Sequence, residues 1–110
     1  MKELFWLGDT RERIRAFPLL VREQIGYALF LAQTGGKHRA AKPMQGLGTG
    51  VMEIRSMDAS GTHRVVYLVS WRETVVVVHA FQKKSVSGIG TPHREFETVR
   101  RRLQSLRGGE

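Results

Sequence analysis

The stretch His63-Arg64-Val65-Val66-Tyr67-Leu68-Val69-Ser70-Trp71, then Arg72-Glu73, then Thr74-Val75-Val76-Val77-Val78-His79-Ala80-Phe81 decides the fold. β-Branched and aromatic residues dominate it, and they suit a pleated, half-buried surface better than a helix. The two runs are parted by only two residues, so they must be antiparallel, because a parallel connection needs a crossover of a dozen or more. Apolar residues fall on both faces of both runs, which implies that both faces are at least partly covered. Just upstream, Val51 to Met57 alternates in part, and Asp58-Ala59-Ser60-Gly61 supplies turn chemistry. The expectation is a three-stranded antiparallel meander.

Toward the N-terminus, the aromatic-rich run Leu4 to Leu7 reads as a strand or a packed arm. Asp9-Thr10-Arg11-Glu12 has the form of a capping box and opens a short helix to about Ala16. Phe17-Pro18 breaks that helix, and Pro18 opens a second one at its first position. Leu20, Val21, Ile25, Ala28, Leu29 and Ala32 recur at helical spacing and give its apolar stripe, and Gly35-Gly36 ends it. Residues 35–50 hold five glycines with Lys37, His38, Arg39 and Lys42, and read as a basic loop. Ser85 to Gly90 reads as a second loop. Thr91 then caps a last helix that begins at Pro92 and ends at Gly108-Gly109. Phe96, Val99, Leu103 and Leu106 form its stripe, with Arg94, Arg100, Arg101, Arg102 and Arg107 around it. The predicted fold is α+β: one domain over residues 1–110, an N-terminal helical hairpin packed on a small antiparallel sheet, with a basic C-terminal helix.

Composition narrows the function. With 110 residues the chain fits one domain, large enough for its own core. It has no cysteine, which excludes disulfides and thiolate metal sites and suits a reducing, cytoplasmic setting. The N-terminal apolar run is too short for a signal peptide, and no stretch approaches a membrane span. Eighteen Lys and Arg oppose ten Asp and Glu, a net charge of +8 and a pI near 10.9. A polyanionic partner follows: nucleic acid, an acidic protein, or a charged surface.

Gly46-Leu47-Gly48-Thr49-Gly50 looks like a phosphate loop but precedes a strand, whereas the dinucleotide fingerprint follows one and opens a helix. It reads as a turn, and no cofactor is expected. His38, His63, His79 and His93 show no helix-pair spacing, so no metal is expected. His79, inside an apolar strand, reads as structural. What remains is cationic. Arg55 ends the first meander strand, Arg64 begins the next, and Lys83 and Lys84 end the third, so antiparallel topology alone brings all four to one edge of the sheet. The alternative for such residues is a solvated rim.

The ordered set Lys42-Pro43-Met44-Gln45-Gly46-Leu47-Gly48, Gly50-Val51-Met52-Glu53-Ile54-Arg55, Thr62-His63-Arg64-Val65-Val66-Tyr67 and His79-Ala80-Phe81-Gln82-Lys83-Lys84-Ser85 resembles the HigB-like, phage-derived branch of the RelE/ParE superfamily. The resemblance implies a toxin of a type II toxin–antitoxin module. Most such relatives are metal-independent endoribonucleases that cut mRNA on the ribosome, each neutralised by a helix-turn-helix antitoxin. Relatives nearer ParE instead inhibit DNA gyrase without catalysis, and that alternative stays open, as does a decayed phage protein without toxicity. By resemblance, Arg64 stabilises the charge that grows on the transferred phosphate, Arg55 supports it, and Lys83 or Lys84 serves as acid or base or simply holds phosphate. The family's C-terminal tyrosine is absent here, since none follows Tyr67. His93 is the nearest stand-in and His79 a second reserve. Lys37, Arg39 and Lys42 in the loop, with Arg94, Arg100 and Arg101 on the last helix, would bind RNA backbone. If Arg64 sits at a polar strand end, truncating it should cost no more than about 1 kcal/mol of stability.

Overall fold

The computed structural model describes residues 1–83 and 90–108. In chain order the elements are β1 (Glu3–Trp6), α1 (Thr10–Arg15), α2 (Leu19–Gln33), β2 (Ala41–Pro43), β3 (Val51–Asp58), β4 (Gly61–Trp71), β5 (Thr74–Lys83) and α3 (His93–Gly108). One five-stranded sheet has the order β1-β5-β4-β3-β2. No helix among the described residues is long and apolar enough to cross a membrane.

The β3–β4–β5 meander forms as expected, with Asp58 opposite Gly61 and Trp71 opposite Thr74 across its two turns. The sheet is nevertheless mixed. β1 runs parallel to β5, pairing Glu3 with Thr74 and Trp6 with Val77. The segment expected as loop contributes β2, which pairs Ala41 with Ile54 and Pro43 with Met52. Three residues are too few to show a period in the sequence.

Strand alternation sends side chains to two cores. Ile54, Val65, Tyr67, Val75 and Val77 face α1 and α2, where Ile14, Val21, Ile25, Ala28, Leu29 and Ala32 are buried against them. Val51, Val66, Leu68, Val76 and Val78 face α3, where Val99 and Leu103 are buried and Phe96 and Leu106 partly so. This is why the two central strands are apolar on both faces. Leu20, expected in the buried stripe of α2, is instead exposed.

Helix ends depart from expectation in detail. Asp9 makes no cap hydrogen bond to the α1 backbone. Its carboxylate accepts from Arg13 Nε at 2.7 Å and Arg102 Nη2 at 3.3 Å instead, because charged donors outcompete a backbone N–H. Pro18 is the residue before α2, extended at ψ 151°, rather than its first helical position. The α2 C-terminus does close on glycine. Gly35 sits at φ +88°, Gly36 N–H donates to Leu31 O at 2.8 Å and Gly35 N–H to Ala32 O at 3.1 Å, the two bonds of a Schellman motif. Thr91 stands two residues before α3, and its hydroxyl donates to Glu53 Oε2 and accepts from Arg64 Nη1.

Candidate functional site

A register shift in β5 builds the site. Val66 pairs with His79 but Tyr67 pairs with Val77, so Val78 is an extra residue in a β-bulge. The bulge shifts the in–out alternation by one. His79 and Phe81 therefore share the α3 face with Val66 and Arg64, their register partners. On β3 the same face carries Glu53, opposite Val66, and Arg55, opposite Arg64. β2 adds Lys42, opposite Glu53. Four strands thus bring Lys42, Glu53, Arg55, Arg64 and Phe81 together, past the N-terminal end of α3.

Arg55 and Arg64 were expected at strand ends. They lie inside β3 and β4, which continue to Asp58 and start at Gly61. Arg64 is no rim residue, with a relative exposure of 1%. Its Nη1 donates to Gly90 O at 3.0 Å and to Thr91 Oγ1 at 3.4 Å, and lies 3.8 Å from Glu53 Oε2. Its guanidinium stands over the Phe81 ring, 5.9 Å from the centroid. Its Nε is buried without a hydrogen-bond partner among the described residues. Burial lowers the Arg64 pKa from its ordinary value, Glu53 offsets part of this, and Arg55 adds to it.

Glu53 is buried and shared. Its Oε1 accepts from Arg55 Nε at 2.9 Å, and Oε2 accepts from Thr91 Oγ1 at 3.4 Å. Arg55 is nearly half exposed. Outside them opens a cavity of about 180 Å³ lined by Ala40, Lys42, Pro43, Glu53 and Arg55. Glu53 thus holds Arg55 at the wall of a small recess that carries two cations, Lys42 and Arg55, with Arg64 3.8 Å from the same carboxylate, which is chemistry suited to an anion.

The remaining expected residues divide. Lys83 pairs with Thr62, one same-face step beyond Phe81 and Arg64. Lys84 lies outside the described residues. His79 is buried and structural: Nε2 meets Glu95 Oε1 at 2.8 Å, Nδ1 meets Arg102 Nη1 at 3.4 Å, and the ring stacks on Phe81 at 5.4 Å. Burial lowers its pKa, against the pull of Glu95. His93 is the exposed first residue of α3. Lys37, Arg39, Lys42, Arg94, Arg100 and Arg101 are all exposed, though Arg100 is paired with Glu97 at 2.9 Å. Of these six, only Lys42 joins the arginine site. Arg102 and Arg107 serve the fold, donating to Val78 O at 2.9 Å and Leu47 O at 3.0 Å. Tyr67 faces α2, across the sheet from Arg64, and burial pushes its pKa up to about 12.

Sequence reasoning missed Glu53, Phe81, Gly90 and Thr91. Glu53 carries a signal in hindsight, standing two residues before Arg55 and so on its face. Gly90 and Thr91 carry none, because their role comes from where the chain returns over the sheet.

Residues 12–104 match the family described as "Phage derived protein Gp49-like". Among solved structures, the chain is similar to the isolated E. coli RelE toxin, with a TM-score of 0.60 and 19% identity over 92% of this chain and 98% of that one. No curated protein sequence matches.

Proposed function

The chain belongs to the phage-derived Gp49-like family, and on that premise we propose that it is the toxin of a type II toxin–antitoxin module, an endoribonuclease that cuts mRNA on the ribosome. The observation that carries the reading is the pairing of Arg55 with Arg64 across the β3–β4 ladder, around the buried Glu53, on a RelE-like fold.

The chemistry follows from these groups. The ribose 2′-oxygen attacks the adjacent phosphorus and loses its proton to a base, the bond from phosphorus to the 5′-oxygen breaks, and that oxygen takes a proton. Between these events the phosphorane carries extra negative charge. Lys42 and Arg55 face the recess and receive the phosphate, and Arg64 lies behind them. Glu53 holds Arg55 in place, so little reorganisation is needed when charge grows. Arg64 reaches the phosphate where the phosphate replaces Gly90 O on Nη1. Lys83 or Lys84 moves the proton. Exposed Lys37, Arg39, Arg94 and Arg101 hold the RNA backbone. The ribosome as target places the protein in the cytoplasm, and a helix-turn-helix antitoxin from the same operon restrains it.

The test is controlled expression without a partner, followed by pulse labelling. Methionine incorporation should fall before thymidine incorporation. Early loss of DNA synthesis with translation intact would assign the protein to gyrase instead. No arrest of either kind would mark it as inactive.

A further inference from the structure

Helix α2 carries apolar residues on its outer side as well as its inner one. Its inner side is buried, and its outer side leaves Leu19 61%, Leu20 78%, Tyr27 56% and Phe30 48% exposed. At 3.6 residues per turn, Leu19, Glu23, Tyr27 and Phe30 stack on one line, with Leu20 beside it. A surface helix normally turns polar residues outward. An apolar strip of this kind, interrupted only by Glu23 among the described residues of that face, marks a surface that another molecule covers. Its rim is basic. Arg22 is exposed on the same helix, and His38 meets the Tyr27 ring edge-on at 5.7 Å, which sets its exposed neighbours Lys37 and Arg39 beside the strip.

We propose that this outer face of α2 docks an amphipathic helix of the antitoxin, with apolar residues on Leu20, Tyr27 and Phe30 and acidic ones toward Arg22, Lys37 and Arg39. The inference rests on the toxin reading and adds the surface and the chemistry of the partner. From Leu19 to Phe30 the strip runs about 16 Å, or three turns of a helix laid along it. Charge selects this occupant over a second copy of the chain. Pairing two copies would bring together two chains of net charge +8 each, both with Arg22, Lys37 and Arg39 around the strip. Leu20, Arg22, Tyr27 and Phe30 belong to α2, which packs across the sheet from Arg64, so changes at these four positions separate docking from catalysis, whereas Lys37 and Arg39 serve both surfaces.

The experiment pairs the full chain with the product of the gene adjoining its own. Binding is measured by calorimetry at several salt concentrations, and rescue by co-expression. Leu20→Asp with Tyr27→Asp should weaken binding about 100-fold, as loss of a central anchor does. That variant should still arrest growth and should no longer be rescued. Because both sites are exposed, circular dichroism should match the parent. Arg22→Glu alone should weaken binding and flatten its salt dependence, and it keeps the test decisive if the double variant misfolds. Unchanged binding and rescue in these variants would overturn the surface while leaving the toxin reading intact. So would a parent dimer that Leu20→Asp converts to monomer without loss of partner binding. A parent chain that arrests growth but does not bind the neighbouring protein would instead sink the antitoxin reading itself, and this surface with it.

Discussion

The carboxylate of Glu53 lies 3.8 Å from the guanidinium of Arg64, with both side chains buried, while its other oxygen holds the half-exposed Arg55 at 2.9 Å. The two arginines therefore differ in what their loss costs. Arg64→Ala strands Glu53 in the interior with fewer partners and empties the space beneath Phe81. About 3 kcal/mol of stability should go, well above the cost expected for a strand-end residue. Arg55→Ala should cost about 1 kcal/mol or less, because its side chain is largely in water. Both should lose about a hundredfold or more in mRNA cleavage on purified ribosomes, as removal of a transition-state donor does. Urea denaturation of each variant separates the two effects. An Arg55→Ala protein that is stable and cleaves like the parent would move the chemistry away from this cluster.

The arginines of α3 should separate by their partners. Arg101 is exposed, and Arg100 is held by Glu97 through both Nε and Nη2. Arg101→Ala should reduce the salt slope of single-stranded RNA binding by about 0.7, the release expected for one phosphate contact. Arg100→Ala should change it less, since Glu97 already neutralises that charge. Equal slopes for the parent and Arg101→Ala would remove Arg101 from the RNA path.

Much of this architecture is legible from residue order. Two β-branched runs parted by Arg72-Glu73 fix the meander, and Val21, Ile25, Ala28, Leu29 and Ala32 fix the inner face of α2. The site is legible in membership but not in depth. Cations read as surface, whereas Arg64 is buried and donates to Gly90 and Thr91, which return over the sheet from elsewhere in the chain. The bulge at Val78 is hidden because four successive valines carry no phase, and a one-residue slip reverses every face beyond it. The sequence pairs Asp9 with Glu12 in a capping box, whereas its carboxylate accepts from Arg13 and from Arg102 at the far end of the chain. Leu20 shares the helical spacing of the stripe but falls outside its arc.

Stability should fall as pH drops below the ordinary histidine value of 6.5, and His79 should carry the effect. Arg102 Nη1 donates to Nδ1, so the ring proton sits on Nε2 and is given to Glu95. Burial lowers the folded pKa first of all; Glu95 raises it, and Arg102 and Arg13 lower it further. Above 6.5 the ring is neutral in both folded and unfolded chains, and this contribution is fully present. Below that, the unfolded chain takes up a proton that the folded one refuses, so stability is lost until pH passes the folded pKa. The melting temperature of the parent should therefore decline between about pH 7 and pH 5, and His79→Gln should flatten that decline. A parent curve that is flat over this range would contradict the assignment.

The β4–β5 turn holds a removable strain. Arg72 and Glu73 have φ of +47° and +59°, the left-handed pair that a two-residue hairpin turn of the primed type requires. Such turns favour Asn-Gly, because a side chain in this region costs about 1 kcal/mol. Arg72 recovers some of this by stacking on Trp71, 4.9 Å from the ring centroid. Glu73→Gly should relieve the second position and keep the stack. Part of the relief is offset by the greater freedom of glycine in the unfolded chain. The net gain should be about 0.5 kcal/mol, or roughly 2–4 °C in melting temperature for a domain of this size. Cleavage should be unchanged, since the turn is seven residues along β4 from Arg64, about 23 Å at strand rise. Calorimetric melting of the parent, Glu73→Gly and Glu73→Val decides it. Valine, β-branched and poorly tolerated at positive φ, should melt lowest, and a valine variant as stable as the glycine one would show that the turn is not strained.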